Sequence, residues 1–165
     1  YAPLGPGRSA VAVPAMGADA LTKPTFESCG GGLVGTSGDY HRFLEMLRRG
    51  GELDGVRLLA PTTVRMMASN HLPGGVDLQR FGRPVFAETN YDGMGFGLGV
   101  SVMCNPVAGK VGGSVGDFGW GGMASTWALV DPAEELSLFF ATQLMPSSAW
   151  PLRTQLRQLV HQALV

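Results

Sequence analysis

Cysteine and lysine are nearly missing from this chain, and each deficit excludes something. The two cysteines, Cys29 and Cys104, are too few for a disulfide scaffold and show no C-x-x-C spacing. They could pair, but the plainer expectation is two buried thiols. Lysine occurs only at Lys23 and Lys110, and the arginines are scattered apart from Arg48 and Arg49. With a net charge of −1, there is no basic stripe to meet a phosphate backbone, which argues against nucleic acid as a partner. No apolar run reaches the roughly 18 residues that a bilayer-spanning helix needs. The histidines His41, His71 and His161 stand far apart, none with a partner at H-x-x-x-H spacing, so no metal and no cofactor is expected. Neither end resembles a targeting segment. The chain opens Tyr1-Ala2-Pro3-Leu4 without a methionine, so it reads as starting inside a longer protein, and its compartment stays open.

What is present is the composition of a globular protein. Hydrophobic residues make up 45% and charged residues 15% of 165 residues, a length that buries roughly two-thirds of its unfolded surface. Residues 1–92 read as a loop-rich and helical segment. Thr36 caps a helix near 37–49, with Asp39 suited to its positive N-terminus and Tyr40, Phe43, Leu44 and Leu47 on one apolar face. Gly50-Gly51 ends it. Pro61 opens a second helix near 61–69, burying Val64, Met67 and Ala68. Residues 93–165 read as an antiparallel meander, with strands at about 95–103, 114–120, 123–131 and 136–142. A closing amphipathic helix turns Leu152, Leu156, Leu159, Val160 and Ala163 inward. The fold class is therefore α+β, with the two segments forming part of one domain.

Several motifs tempt a functional reading. Gly112-Gly113-Ser114-Val115-Gly116 matches G-x-S-x-G, and Asp131 and His161 follow in the order of a hydrolase triad. That motif works only as a strand-to-helix elbow, and the glycine-rich residues after Ser114 cannot open a helix. Asp117-Phe118-Gly119 imitates a kinase metal-binding tripeptide without the lysine strand or catalytic loop that would give it meaning. The glycines of Gly93-Met94-Gly95-Phe96-Gly97 never fall in G-x-G-x-x-G register, so dinucleotide binding is not indicated. Trp120-Gly121-Gly122-Met123 is different. A glycine pair inside a strand marks close approach by a ligand or another backbone, although a glycine-rich turn beside a core tryptophan fits the spacing equally well.

The neighbourhood decides between these. Gly30-Gly31-Gly32-Leu33-Val34-Gly35-Thr36, then Gly55-x-Arg57-Leu58-Leu59-x-Pro61, then Gly95-Phe96-Gly97-Leu98-Gly99, then Phe118-x-Trp120-Gly121-Gly122 with Asp131-Pro132 and the final helix follow one another in order. Together they resemble the C-terminal half of a serine β-lactamase-like, penicillin-binding-fold hydrolase, in particular its class C-like esterase branch. The resemblance implies the C-terminal part of that fold, an antiparallel sheet covered by a C-terminal helix plus part of the helical subdomain. It implies that the Met123 backbone amide is an oxyanion-hole donor, with Trp120, Gly121 and Gly122 lining the substrate site. Trp120 stands where a lysine often stands in that family. An indole offers no cation to an anionic lactam, so the resemblance implies a carboxylesterase on small ester substrates. The alternatives are a β-lactamase or D-Ala-D-Ala peptidase of the same fold, or a non-catalytic module that binds a peptide or partner. No S-x-x-K nucleophile motif and no Y-x-N motif occur, so the missing N-terminal half of the same protein is the expected partner, and the isolated chain is expected to be inactive.

Overall fold

The computed structural model describes residues 1–4, 9–14, 20–82 and 90–164. Two short strands, β1 (Ala2–Pro3) and β2 (Ala10–Val11), pair with each other near the start. Helix α1 (Ser37–Arg48) begins where expected. Thr36 Oγ1 accepts from the Asp39 amide at 3.1 Å and donates to the Asp39 carboxylate at 2.6 Å, satisfying one of the helix's orphan donors. That bond from Thr36 also holds the Asp39 carboxyl below its usual range.

The buried face of α1 is Leu44, Met46 and Leu47, not the wider stripe the periodicity suggested. Tyr40 and Phe43 are about half exposed, and Tyr40 instead stacks on Phe139 at 4.6 Å. The helix stops at Gly50 and Gly51, both with positive φ. At Gly51 a Cβ would sit 2.2 Å from the Leu59 carbonyl oxygen, so the bend admits only glycine. A small hairpin of β3 (Glu52–Leu53) and β4 (Val56–Arg57) leads to α2 (Pro61–Met67), which buries Val64. A short helix α3 (Leu78–Phe81) follows, capped by Asp77.

The rest is built on a five-stranded antiparallel sheet in simple meander order: β5 (Met94–Phe96), β6 (Ser101–Met103), β7 (Phe118–Gly121), β8 (Trp127–Asp131) and β9 (Leu136–Phe140). Between β6 and β7 lies a single turn of helix, α4 (Pro106–Gly109). Three strand expectations need correction. The single strand expected at 95–103 is a hairpin, reversing where the Gly97 amide bonds the Val100 carbonyl at 2.7 Å. Residues 114–117 are not strand, because Gly113 and Gly116 take positive φ. The strand expected to begin at Met123 begins at Trp127, since 122–126 form a turn.

Helix α5 (Leu152–Gln162) closes the domain on the other side of the sheet. Alternation along each strand sorts the sheet into two faces. Val102, Phe118, Ala128 and Val130 pack with Leu44, Leu47 and Val64 into the hydrophobic core on the α1 side. The α5 side differs from the leucine-lined interface expected. Arg157 is the buried residue of that helix, while Leu159 is 62% exposed. The two cysteines are likewise exposed and free rather than buried. Among the described residues, no helix is long and apolar enough to cross a membrane.

Candidate functional site

Strand β7 ends in the hairpin that carries the singled-out residues. The Ser125 amide donates to the Gly122 carbonyl at 3.1 Å, and the Gly122 amide donates to the Thr126 carbonyl at 3.1 Å. This is a turn followed by a residue in left-handed conformation, a geometry usually given to glycine. Here Ser125 takes it with φ 64°. It is fully buried, and its hydroxyl donates to the Leu144 carbonyl at 2.7 Å. Gly122 is held close to Thr126, whose Oγ1 would lie 2.6 Å from an added Cβ.

Met123 stands at the tip of this hairpin, 56% exposed. Its amide has no acceptor among the described residues. Trp120 lies at the end of β7, 43% exposed. Its ring stacks on Tyr91 at 6.3 Å and meets the edge of Phe96 at 5.0 Å. Beside it opens a cleft lined by Tyr91, Met94, Trp120, Gly121, Trp127 and Arg153. Gly121 therefore borders the cleft, whereas Gly122 and Met123 lie beyond it at the hairpin tip.

Folding also assembles a group that spacing concealed. Residues 153, 157 and 161 recur every four positions along α5, and all three reach toward the sheet. Arg157 donates to both carboxylate oxygens of Asp117 at 2.6 and 3.2 Å, and its guanidinium lies 5.4 Å from the centre of the Trp127 ring. Asp117 is completely buried. Burial pushes its carboxyl up from the ordinary range, against the opposing pull of Arg157. His161 Nδ1 donates to the Arg157 carbonyl at 2.8 Å, and Nε2 faces Asp131 Oδ2 at 3.4 Å. Ligand atoms of Asp117, Asp131 and His161 lie within 4.8 Å of one another, a proximity the histidine spacing gave no hint of. Their lone pairs are already engaged. Asp131 accepts from the amides of Ser114, Ala133 and Glu134, and Asp117 is taken by Arg157, so the group is an internal ion network tying α5 to the sheet.

The same network disposes of the Ser114 triad. Ser114 does come near Asp131 and His161 in space, but only through its backbone amide. Its hydroxyl donates to Glu134 at 3.0 Å, and both nitrogens of His161 are engaged elsewhere. The group that faces the hydroxyl is the exposed Glu134 carboxylate and not an imidazole, so the serine–histidine contact of a triad is not made. His41 meets Ser137 Oγ at 3.0 Å, but that hydroxyl gives its proton to Glu45 at 2.5 Å, so the imidazole nitrogen can only donate there. Glu45 itself is held down to about 2, first by its hydrogen bonds from Arg48.

Comparison with known proteins fits this architecture. The Beta-lactamase family model matches residues 1–162. Protein Rv1367c of Mycobacterium tuberculosis (strain ATCC 25618 / H37Rv) is 38% identical over 135 residues, covering 79% of this chain and 32% of that protein. The chain thus spans about a third of the length of the curated relatives it matches. Among solved structures, EstCE1, described as a hydrolase with promiscuous acyltransferase activity, superposes with a TM-score of 0.65 at 26% identity, over 96% of this chain and 37% of that one. Simvastatin synthase (LovD) from Aspergillus terreus has the same fold, with a TM-score of 0.61 at 22% identity over 81% of this chain and 36% of that one.

Proposed function

The chain belongs to the beta-lactamase family, and from that premise we propose that it is the substrate-strand portion of a serine hydrolase acting on esters. The observation that carries the reading is the Met123 amide, an unengaged N–H at an exposed hairpin tip directly after the Trp-Gly-Gly strand. In this role it donates to the oxyanion that forms when an ester carbonyl is attacked. Charge that appears only in the transition state is what such a fixed donor stabilises, and losing one costs about 100- to 1000-fold in turnover. Trp120 and Gly121 line the acyl side, and Gly122 supplies the carbonyl half of the Met123 peptide. The aromatic packing of Trp120 on Tyr91 and Phe96 offers an apolar wall, and the two guanidiniums that also border the cleft, Arg153 and Arg157, are taken up by the Gly122 and Thr126 carbonyls and by Asp117, which favours a neutral acyl group over an anionic lactam. The description of EstCE1 as a hydrolase with acyltransferase activity supports acyl chemistry of this kind.

The nucleophile lies outside these residues. In this reading a serine Oγ from another part of the protein, its proton taken by a neighbouring lysine and tyrosine, attacks the ester carbonyl; the alcohol leaves with that proton, and water then hydrolyses the acyl-enzyme, while the Met123 N–H holds the developing charge. The test is an amide-to-ester replacement of the Met123 peptide nitrogen in a protein that includes the upstream residues. Turnover of p-nitrophenyl butyrate falls about 100-fold or more, while Met123→Ala, which keeps the N–H, changes it little. Equal activity with and without the N–H contradicts the assignment. Hydrolysis of nitrocefin in preference to the ester contradicts the substrate class.

A further inference from the structure

We propose that Arg153 is the positioning residue of the oxyanion donor; this rests on the reading of the Met123 amide given above. The argument starts from one peptide unit. The carbonyl of Gly122 and the N–H of Met123 belong to the same planar trans amide, so the two point in opposite directions and turn together. Arg153, reaching from α5, donates from Nη2 to the Gly122 carbonyl at 2.6 Å. Its Nε donates to the Thr126 carbonyl at 3.2 Å, on the other limb of the same hairpin. One guanidinium fork thus grips both sides of the tip, and a fork is stiffer than a single-point ammonium would be.

Two consequences follow for the N–H. Fixing the carbonyl fixes the direction of the amide plane, which leaves Met123 N–H aimed away from α5 toward the open side of the hairpin. A cation on the oxygen also draws electron density through the amide, making the N–H at its other end a stronger donor, as in any chain of hydrogen bonds that polarise one another. The arrangement also explains a letter of the sequence. At Gly121 an added Cβ would sit 2.3 Å from the Arg153 guanidinium carbon, so this glycine keeps the space in which Arg153 lies. Arg153 touches no reacting atom in this arrangement. It acts through the peptide.

The test has two readouts. In the chain labelled with 15N-methionine, relaxation gives the order of the Met123 amide. Arg153→Met lowers it from the rigid range, about 0.85, toward that of a flexible loop, about 0.6, while the other methionine amides stay put; Arg153→Lys lies between. An equally ordered Met123 amide in Arg153→Met overturns the proposal. In the protein that includes the upstream residues, Arg153→Met lowers kcat on p-nitrophenyl butyrate about 10- to 100-fold with KM changed less than about twofold, and Arg153→Lys recovers part of the loss. An unchanged kcat overturns it. Should Arg153→Met fail to fold, Arg153→Gln replaces it with the same expected losses. If the unsubstituted protein does not hydrolyse the ester, the esterase reading fails, and the Met123 amide alone decides whether Arg153 holds the hairpin.

Discussion

The two faces of the five-stranded sheet are built on opposite principles. On the α1 side, Leu44, Leu47, Val102, Phe118, Ala128 and Val130 form a continuous apolar core. On the α5 side, Arg157 and His161 meet the fully buried Asp117 and Asp131, and Arg153 donates to the Gly122 and Thr126 carbonyls. Apolar burial stabilises without direction, since one methyl contact is much like another. Charged hydrogen bonds contribute little net stability, yet they fix orientation closely. The side that carries the proposed oxyanion donor is the side that uses arginine.

The comparison is broken most violently at Asp117. Asp117→Ala leaves the Arg157 charge buried without its partner and costs about 3–5 kcal/mol in chemical denaturation, whereas Asp117→Leu combined with Arg157→Met recovers most of that loss. A double variant as unstable as the single one contradicts the view that the pair is exchangeable for packing. On the other face, Leu47→Ala costs about 2–4 kcal/mol by lost burial and the cavity left behind, with no compensating substitution of that kind. At the hairpin the effects are smaller. Ser125→Ala keeps the left-handed backbone but leaves the Leu144 carbonyl without its donor, costing about 1–2 kcal/mol. Ser125→Gly loses the same bond but relieves about 1 kcal/mol of backbone cost, so it melts above the alanine variant.

A separate effect concerns pH on the α1 side. Glu45 has its carboxyl lowered from 4.5 to about 2 in the folded chain, chiefly by Arg48. A depressed folded value means the unfolded chain takes up the proton first. The stabilisation is therefore complete above about 4.5 and is lost as pH falls toward about 2. Thermal melts show Glu45→Gln losing less stability than the parent across that window.

Much of this was legible in the residues. The Thr36 cap, the Gly50-Gly51 stop and the meander followed from local rules, and the ordered motifs pointed to the family. What stayed hidden depends on long-range partners. A hydropathy pattern reads Arg153, Arg157 and His161 as the wet face of α5, because nothing nearby in sequence announces that the Gly122 and Thr126 carbonyls wait opposite the first and Asp117 and Asp131 opposite the other two. Their four-residue spacing was the available signal, and it was masked by the leucines at 152, 156 and 159. The left-handed Ser125 was equally invisible, since its cost is borne by a hydroxyl bond to Leu144, 19 residues away. Met123 was reached through resemblance. The Arg153 grip on its peptide needed coordinates.

The central claim is that this chain holds an oxyanion but supplies no nucleophile. Turnover of p-nitrophenyl butyrate by the purified 165-residue chain, set beside the same chain expressed with its upstream residues, tests it most directly. No hydrolysis by the chain alone, with serine-dependent hydrolysis by the longer protein, is the expected result. Serine-dependent turnover by the 165 residues alone, with Ser114 or another of its serines labelled by a fluorophosphonate, would contradict it.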